Sequence, residues 1–186
     1  MRKTNHLDDS WLVEKYQSGQ KSALALLVKR WHIKFCKQAY WYTRDYDSAK
    51  DIAQDSWARV IEKIDDLKDA KKFGSWALSI VTNKSIDWIR AKDRFKMVNK
   101  FSEPLSYLEN NEIPDNSESI NEVILAIRKL PENQQIVLKL FYLETNSLNQ
   151  ISNLLKVSKG TVKSRLFYAR EKLKLIIKNR NHEQEY

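Results

Sequence analysis

The sequence predicts an all-α protein, built as two small helical domains joined by a flexible linker. Three observations predict it. The 186 residues include only three glycines and three prolines, too few for the many tight turns of an all-β chain. Apolar residues recur at three- and four-residue steps through long stretches free of both, the period of an amphipathic helix. That periodicity lapses near the middle, where prolines, asparagines and acids gather. Six tryptophans, eight tyrosines and six phenylalanines supply material for two cores.

Residues 8–95 form the first expected block. "DSWLVEKYQSG" opens on capping-type residues and closes on Gly19, placed just past a helix end. Leu24, Leu27, Val28, Trp31 and Phe35 mark one face of the next helix. In "DSAKDIAQDSWARVIEKI", Ile52, Ser56, Val60 and Ile64 share a side, with Trp57 and Ile61 beside it. Asp51, Asp55, Arg59 and Glu62 occupy the other side. "DDLKDAKK" reads as a polar break, and "FGSWALSIVTNKSIDWIRAKDR" as a further helix ending in a basic run. Cys36, the only cysteine, is expected to fill a small buried apolar position.

Residues 96–118 read as the linker, with Pro104, Pro114 and little periodicity; across 96–122 two lysines face six acids, a net charge of −4. A second block, 119–176, opens with a capping box at Ser119 and Glu122. Pro131 suits the first turn of a helix over about 131–143. Ser147 and Gln150 repeat the capping pattern before a helix at 148–155, and Ser158 caps one from 159 to at least 175.

Lysine and arginine outnumber aspartate and glutamate by 33 to 24, a net charge of +9. Such a balance favours a polyanionic partner, because neutralised phosphates release condensed counterions; a solvated basic surface is the alternative. A lone cysteine and the dispersed His6, His32 and His182 argue against a metal site. No glycine-rich phosphate loop is visible, so neither a cofactor nor a catalytic site is expected. The N-terminus lacks the apolar stretch of a signal peptide, and no apolar run approaches the roughly 18 residues of a membrane span. The expectation is a cytoplasmic protein without membrane insertion.

The last two expected helices are joined only by "KVS". A short helix, a tight turn and a longer helix describe a helix-turn-helix. Leu148, Ile151, Leu155, Val157, Val162, Leu166, Ala169 and Leu173 would pack the pair. Lys159, Thr161, Lys163, Ser164, Phe167 and Tyr168 would then face outward, on the half of the final helix that enters a major groove. A solvated charged face is the alternative, but the segment 150–186 is basic, with nine cations against three acids.

"LPENQQIVLKLFYLETNSLNQISNLLKVSKGTVKSRLFYAREKLK" resembles region 4 of the extracytoplasmic-function sigma factors, the small members of the sigma-70 family. "DSAKDIAQDSWARVIEKI" resembles region 2.2 of the same family, with Asp51, Gln54, Asp55 and Trp57 on the matching positions. The resemblance implies that this helix docks on the clamp coiled coil of the largest catalytic subunit of RNA polymerase. An outward acidic stripe is chemically suited to a basic coiled coil; a solubilising face is the other reading. "FGSWALSIVTNKSIDWIRAKDR" resembles regions 2.3 to 2.4, which open and read the promoter −10 element. Single-strand capture needs cations along the backbone and a pocket or ring for an unstacked base.

The resemblance therefore implies −10 contacts from Asn83, Lys84, Trp88 and Arg90, with "DDLKDAKK" and a nearby Asn83 holding a flipped base. Trp88 fits a base-stacking role or a core role. It implies −35 contacts from Lys159, Thr161, Lys163, Ser164, Arg165, Phe167 and Tyr168. At Tyr168 many members carry a cation, and Lys50 replaces a frequent acid. Expected partners are core polymerase, through its clamp coiled coil and flap, promoter DNA, and an anti-sigma factor. The expected function is promoter-specific initiation, with no active site. A dimeric duplex-binding regulator and an enzyme with a DNA-binding tail are the rivals. Asp51 and Asp55 stand one turn apart, but no third metal ligand accompanies them.

Overall fold

A computed structural model of the chain describes residues 8–98, 123 and 125–183. They fall into two compact units, one within Met1–Tyr107 and one within Leu108–Tyr186. Both are helical, and no strand occurs among the described residues. Ser119 and Glu122 lie outside them.

The first unit contains α1 (Asp9–Gln17), α2 (Ser22–Thr43), α3 (Tyr46–Lys63) and α4 (Phe73–Val98), the last running past the expected end at residue 95. Gly19 takes a left-handed backbone, φ +100°, just beyond α1. There its N–H bonds the Tyr16 carbonyl, and that of Gln20 bonds Lys15, the paired closure that glycine permits at a helix end. Between α2 and α3 the chain reverses within two residues. Arg44 is left-handed (φ 52°), and the Asp45 carboxylate accepts from the Ser48 N–H at 2.9 Å, capping α3.

Leu27, Trp31, Phe35 and Ala39 of α2 meet Ile52, Ala53, Trp57 and Val60 of α3, and Phe73, Ala77 and Val81 of α4. Phe35 stacks on Trp57 with ring centroids 4.6 Å apart, a pairing worth about 0.5–1.5 kcal/mol beyond the area it buries. Trp31 lies against Gly74, and the Gln38 amide donates to Thr82, so α2 and α4 advance in the same direction while α3 returns. Ser56 is wholly buried on the core side of α3 and spends its hydroxyl on the Ile52 carbonyl at 2.6 Å. Ile61, expected beside the buried side, is instead 42% exposed. It sits one turn beyond Trp57, rotated off the stripe that α2 and α4 cover. Cys36 is only half-buried, being at the rim of the α2 face.

The second unit contains a helical stretch at 125–128, α5 (Glu132–Leu138), a π turn at Lys139–Leu143, α6 (Leu148–Leu155) and α7 (Lys159–Glu183). Pro131 stands before α5, not in its first turn: its ψ of 144° is extended. Its carbonyl accepts from the N–H groups of Gln134 and Gln135, so the proline serves as the cap, where an absent N–H costs nothing. The expected continuous helix also widens to a π turn over its last five residues. That turn closes through Thr145 in left-handed backbone, φ 52°, and an Asn146 N–H bond to Leu140.

Both remaining caps form as expected. Ser147 and Gln150 bond each other's backbone N–H groups, and the Ser158 hydroxyl accepts from the Thr161 N–H at 3.0 Å. Ile151, Val162, Leu166 and Ala169 are buried, while Leu148, Leu155, Val157 and Leu173 are half-buried. The turn between the helices passes through Lys156 at φ 52°, and the Ser152 hydroxyl ties it down by donating to the Val157 carbonyl at 2.6 Å.

Candidate nucleic-acid interface

The unit of α1–α4 presents two adjoining polar faces. On α3, Asp51, Gln54 and Asp55 are all exposed, because Ile52, Ser56 and Trp57 turn the other side of the helix to the core. On α4, Asn83 is exposed and Lys84 half-buried. The faces touch where the Lys84 ammonium comes within 3.6 Å of the Asp55 carboxylate.

Farther along α4, Arg90 pairs with Asp87 one turn back. Trp88 is half-buried and packs on the core with one side of its indole. Lys92 sits 4.7 Å from the centre of the ring, a cation–π contact. Trp88 is thus part core and part accessible. Asn83 is not beside the polar loop. It lies ten residues beyond Phe73, roughly 15 Å along the helix axis.

In the second unit, Lys159, Lys163, Ser164, Phe167 and Tyr168 are exposed. Lys159, Lys163 and Phe167 follow one another at four-residue steps along α7, and Ser164 and Tyr168 form a second four-residue row beside them. Phe167 and Tyr168 meet edge to face at 5.5 Å and leave 59% and 61% of their surface open. Thr161 and Arg165 are half-buried instead of fully outward. Both border the buried stripe of α7, and the Thr161 hydroxyl is engaged 2.9 Å from that of Ser158. Arg170, at the i+3 position from Phe167, lies over the rings of Phe141 and Tyr142 at 5.7 and 5.5 Å. It joins α7 to the π turn, a packing role its charge does not reveal in the sequence.

No group of three or more metal-ligating side chains occurs among the described residues. None of the described helices is long and apolar enough to cross a membrane.

The helices that carry these faces match two family models in chain order: Sigma-70 region 2 over residues 27–95 and Sigma-70, region 4 over residues 126–175. The chain belongs to the sigma-70 family. Its group within the family follows from curated relatives. The chain is 28% identical over 173 residues to the ECF RNA polymerase sigma factor SigW of Bacillus subtilis, covering 87% of this chain and 92% of that one. It is also 28% identical over 176 residues to the ECF RNA polymerase sigma-E factor of Haemophilus influenzae, covering 89% and 93%. This sigma factor is thus of the extracytoplasmic-function group, and it directs promoter-specific initiation by RNA polymerase.

Solved structures show the same fold. CnrH, in complex with the cytosolic domain of CnrY, is 21% identical with a TM-score of 0.51, over 92% of this chain and 98% of that one. The Bartonella quintana sigma factor RpoE, in complex with the anti-sigma factor NepR, is 18% identical with a TM-score of 0.56, over 83% and 96%.

The region 2 match takes in α3 and α4 and both of their polar faces; the region 4 match takes in α6 and the exposed half of α7. Helix α1 precedes both. Sequence reading of this sigma factor passed over Gln17 at the end of that helix, since one glutamine before a Ser-Gly turn carries no local signal.

Proposed function

We propose that residues 8–95 of this sigma factor dock on polymerase and open the −10 element, and that 119–176 read the −35 element across the tether 96–118. Asp51, Gln54 and Asp55 meet the clamp coiled coil, and the second unit meets the flap. Asn83, Lys84, Trp88 and Arg90 engage the −10 DNA, with the loop before α4 receiving an unstacked base. Lys159, Thr161, Lys163, Ser164, Arg165, Phe167 and Tyr168 approach the −35 major groove, where lysine and arginine suit guanine and hydroxyls suit several bases. Thr161 and Arg165 do so from the edge of that surface.

One observation carries the reading: the acidic stripe of α3 and the basic, aromatic face of α4 adjoin at the Asp55–Lys84 pair. A polymerase element on the first lies beside nucleic acid on the second. Polymerase supplies the chemistry; the chain needs neither cofactor nor metal and works in the cytoplasm. An anti-sigma factor holds it inactive, a reading supported by the complex of RpoE with the anti-sigma factor NepR.

Transcription of genomic fragments by core polymerase with the purified chain, mapped at the start sites, tests this. The expected result is initiation at a restricted set of promoters sharing two spaced elements. Dimeric binding of duplex operators without polymerase, and no initiation, would instead reveal a conventional regulator.

A further inference from the structure

The loop between α3 and α4 consists of two 3-10 turns, Ile64–Asp66 and Ala70–Lys72, joined by an extended stretch at Leu67. Its apolar residues are anchored: Ile64 is buried, and Leu67 and Ala70 pack on the core. Asp65, Asp66, Lys68, Asp69, Lys71 and Lys72 face outward. Each turn has its own bonds, with the Leu67 N–H on Ile64 and the Asp69 carboxylate accepting from the Lys71 N–H. The Leu67 carbonyl between them takes its bond from outside the loop.

That bond comes from Gln17, the last residue of α1. Its side-chain Nε2 donates to the Ile64 carbonyl at 2.7 Å and to the Leu67 carbonyl at 3.1 Å. Helix α1 also packs beside the second turn, and Asp8 immediately precedes the helix. Hydrogen bonds from Ser10 chiefly hold its carboxyl below the usual range, and the Lys71 ammonium adds to the effect. Helix α1 is itself fixed: Asp9 accepts from the Trp31 indole at 3.0 Å and pairs with Arg30. It therefore lies along the whole loop, held at both ends, although it precedes the region 2 match.

We propose that Gln17 is a positioning residue for base capture, its amide holding the Ile64–Leu67 backbone in the shape that receives an unstacked base. This rests on the reading that the loop takes such a base. A loop ordered before DNA arrives does not pay its ordering entropy on binding. Gln17 touches no DNA, so its effect appears in capture and not in polymerase docking.

The test uses holoenzyme and a fork-junction DNA from a mapped promoter, with 2-aminopurine at successive unpaired positions of the exposed strand. Gln17→Met keeps the length of the side chain but removes both donors, and Gln17→Glu sets a carboxylate against two carbonyls. The expected loss of fork affinity is about three- to tenfold for Gln17→Met, the reach of one or two modest hydrogen bonds. It is larger for Gln17→Glu, and core-polymerase affinity is unchanged in both. The 2-aminopurine signal of the captured position falls in parallel, and also in a loop variant, Asp69→Ala. Full capture by both Gln17 variants, with loss in Asp69→Ala, overturns the role of Gln17. Full capture by all three overturns the loop reading itself. Equal loss of core binding and capture would make Gln17 a general structural residue and overturn the proposal.

Discussion

The Lys84 ammonium stands 3.6 Å from the Asp55 carboxylate, joining α4 to α3 across their outward faces. The two side chains are 34% and 72% exposed, so water screens them and the pair adds at most about 1 kcal/mol to folding. Its interest is positional, because one partner belongs to the proposed polymerase face and the other to the proposed DNA face. Lys84→Ala should shift stability by no more than about 0.5 kcal/mol in urea melts. It should leave core-polymerase affinity intact and weaken fork-junction DNA binding. Asp55→Ala should show the reverse division, and titrations of each variant against core polymerase and DNA separate the two.

Gly74 is sterically committed. A Cβ there would lie 2.5 Å from Cη2 of the Trp31 indole and 2.9 Å from Cζ2. The indole cannot simply retreat, since Asp9 holds its N–H and Phe73 abuts its edge at 5.9 Å. Alanine normally helps a helix by about 0.5–1 kcal/mol over glycine. Here overpacking dominates, and Gly74→Ala should destabilise the first unit by about 1–3 kcal/mol in denaturant melts. A stabilised variant would show that Trp31 has room to move.

Asp45 ties the α2–α3 reversal to pH. Hydrogen bonds from Ser48 hold its carboxyl below its ordinary value of 3.8. A lowered folded pKa gives stability that is present above the unfolded value and lost as pH falls through the folded one. Asp45→Ala should cost about 1 kcal/mol at pH 7, as loss of a helix cap does. Asp45→Asn should retain most of the cap at pH 7 while removing this residue's share of the loss below about pH 4. Chemical denaturation at both pH values checks this.

Lys163 occupies the exposed flank of α7 one turn before Phe167. If its ammonium reads a base, Lys163→Ala should cost about 1–3 kcal/mol and relax preference at one −35 position. If it meets a phosphate, the loss spreads evenly over sequences and the salt slope falls by about one. Fluorescence titrations over a salt series on matched and single-mismatch duplexes decide between them.

Most of the helices were legible because their signals are local. Ser147–Gln150, Ser158 and Gly19 are caps and stops that a few neighbouring residues define, and each forms. The buried stripe of α3 was equally plain from its period, apart from Ile61, whose exposure depends on how far α2 and α4 wrap around it. The polar faces could be read as outward, since Asp51, Asp55 and Lys163 follow from what their helices bury.

What escaped were relationships across distance. Nothing local connects Gln17 to carbonyls 47 and 50 residues away, Lys84 to Asp55, or Arg170 to the rings of Phe141 and Tyr142. The π turn was hidden for a related reason: its sequence has good helix formers, and the closure is imposed by the left-handed Thr145 beyond it. Pro131 stands one position ahead of the first turn its sequence suits, the usual margin at a helix start.

The outward acidic stripe of α3 is the proposed polymerase dock. Equilibrium binding of labelled chain to core polymerase, comparing the native sequence with the double variant Asp51→Lys, Asp55→Lys, tests it most directly. The expected result is one-to-one binding by the native chain and a loss of at least about tenfold in the variant, with unfolding midpoints and −35 duplex binding unchanged. Undiminished binding by the double variant would contradict it.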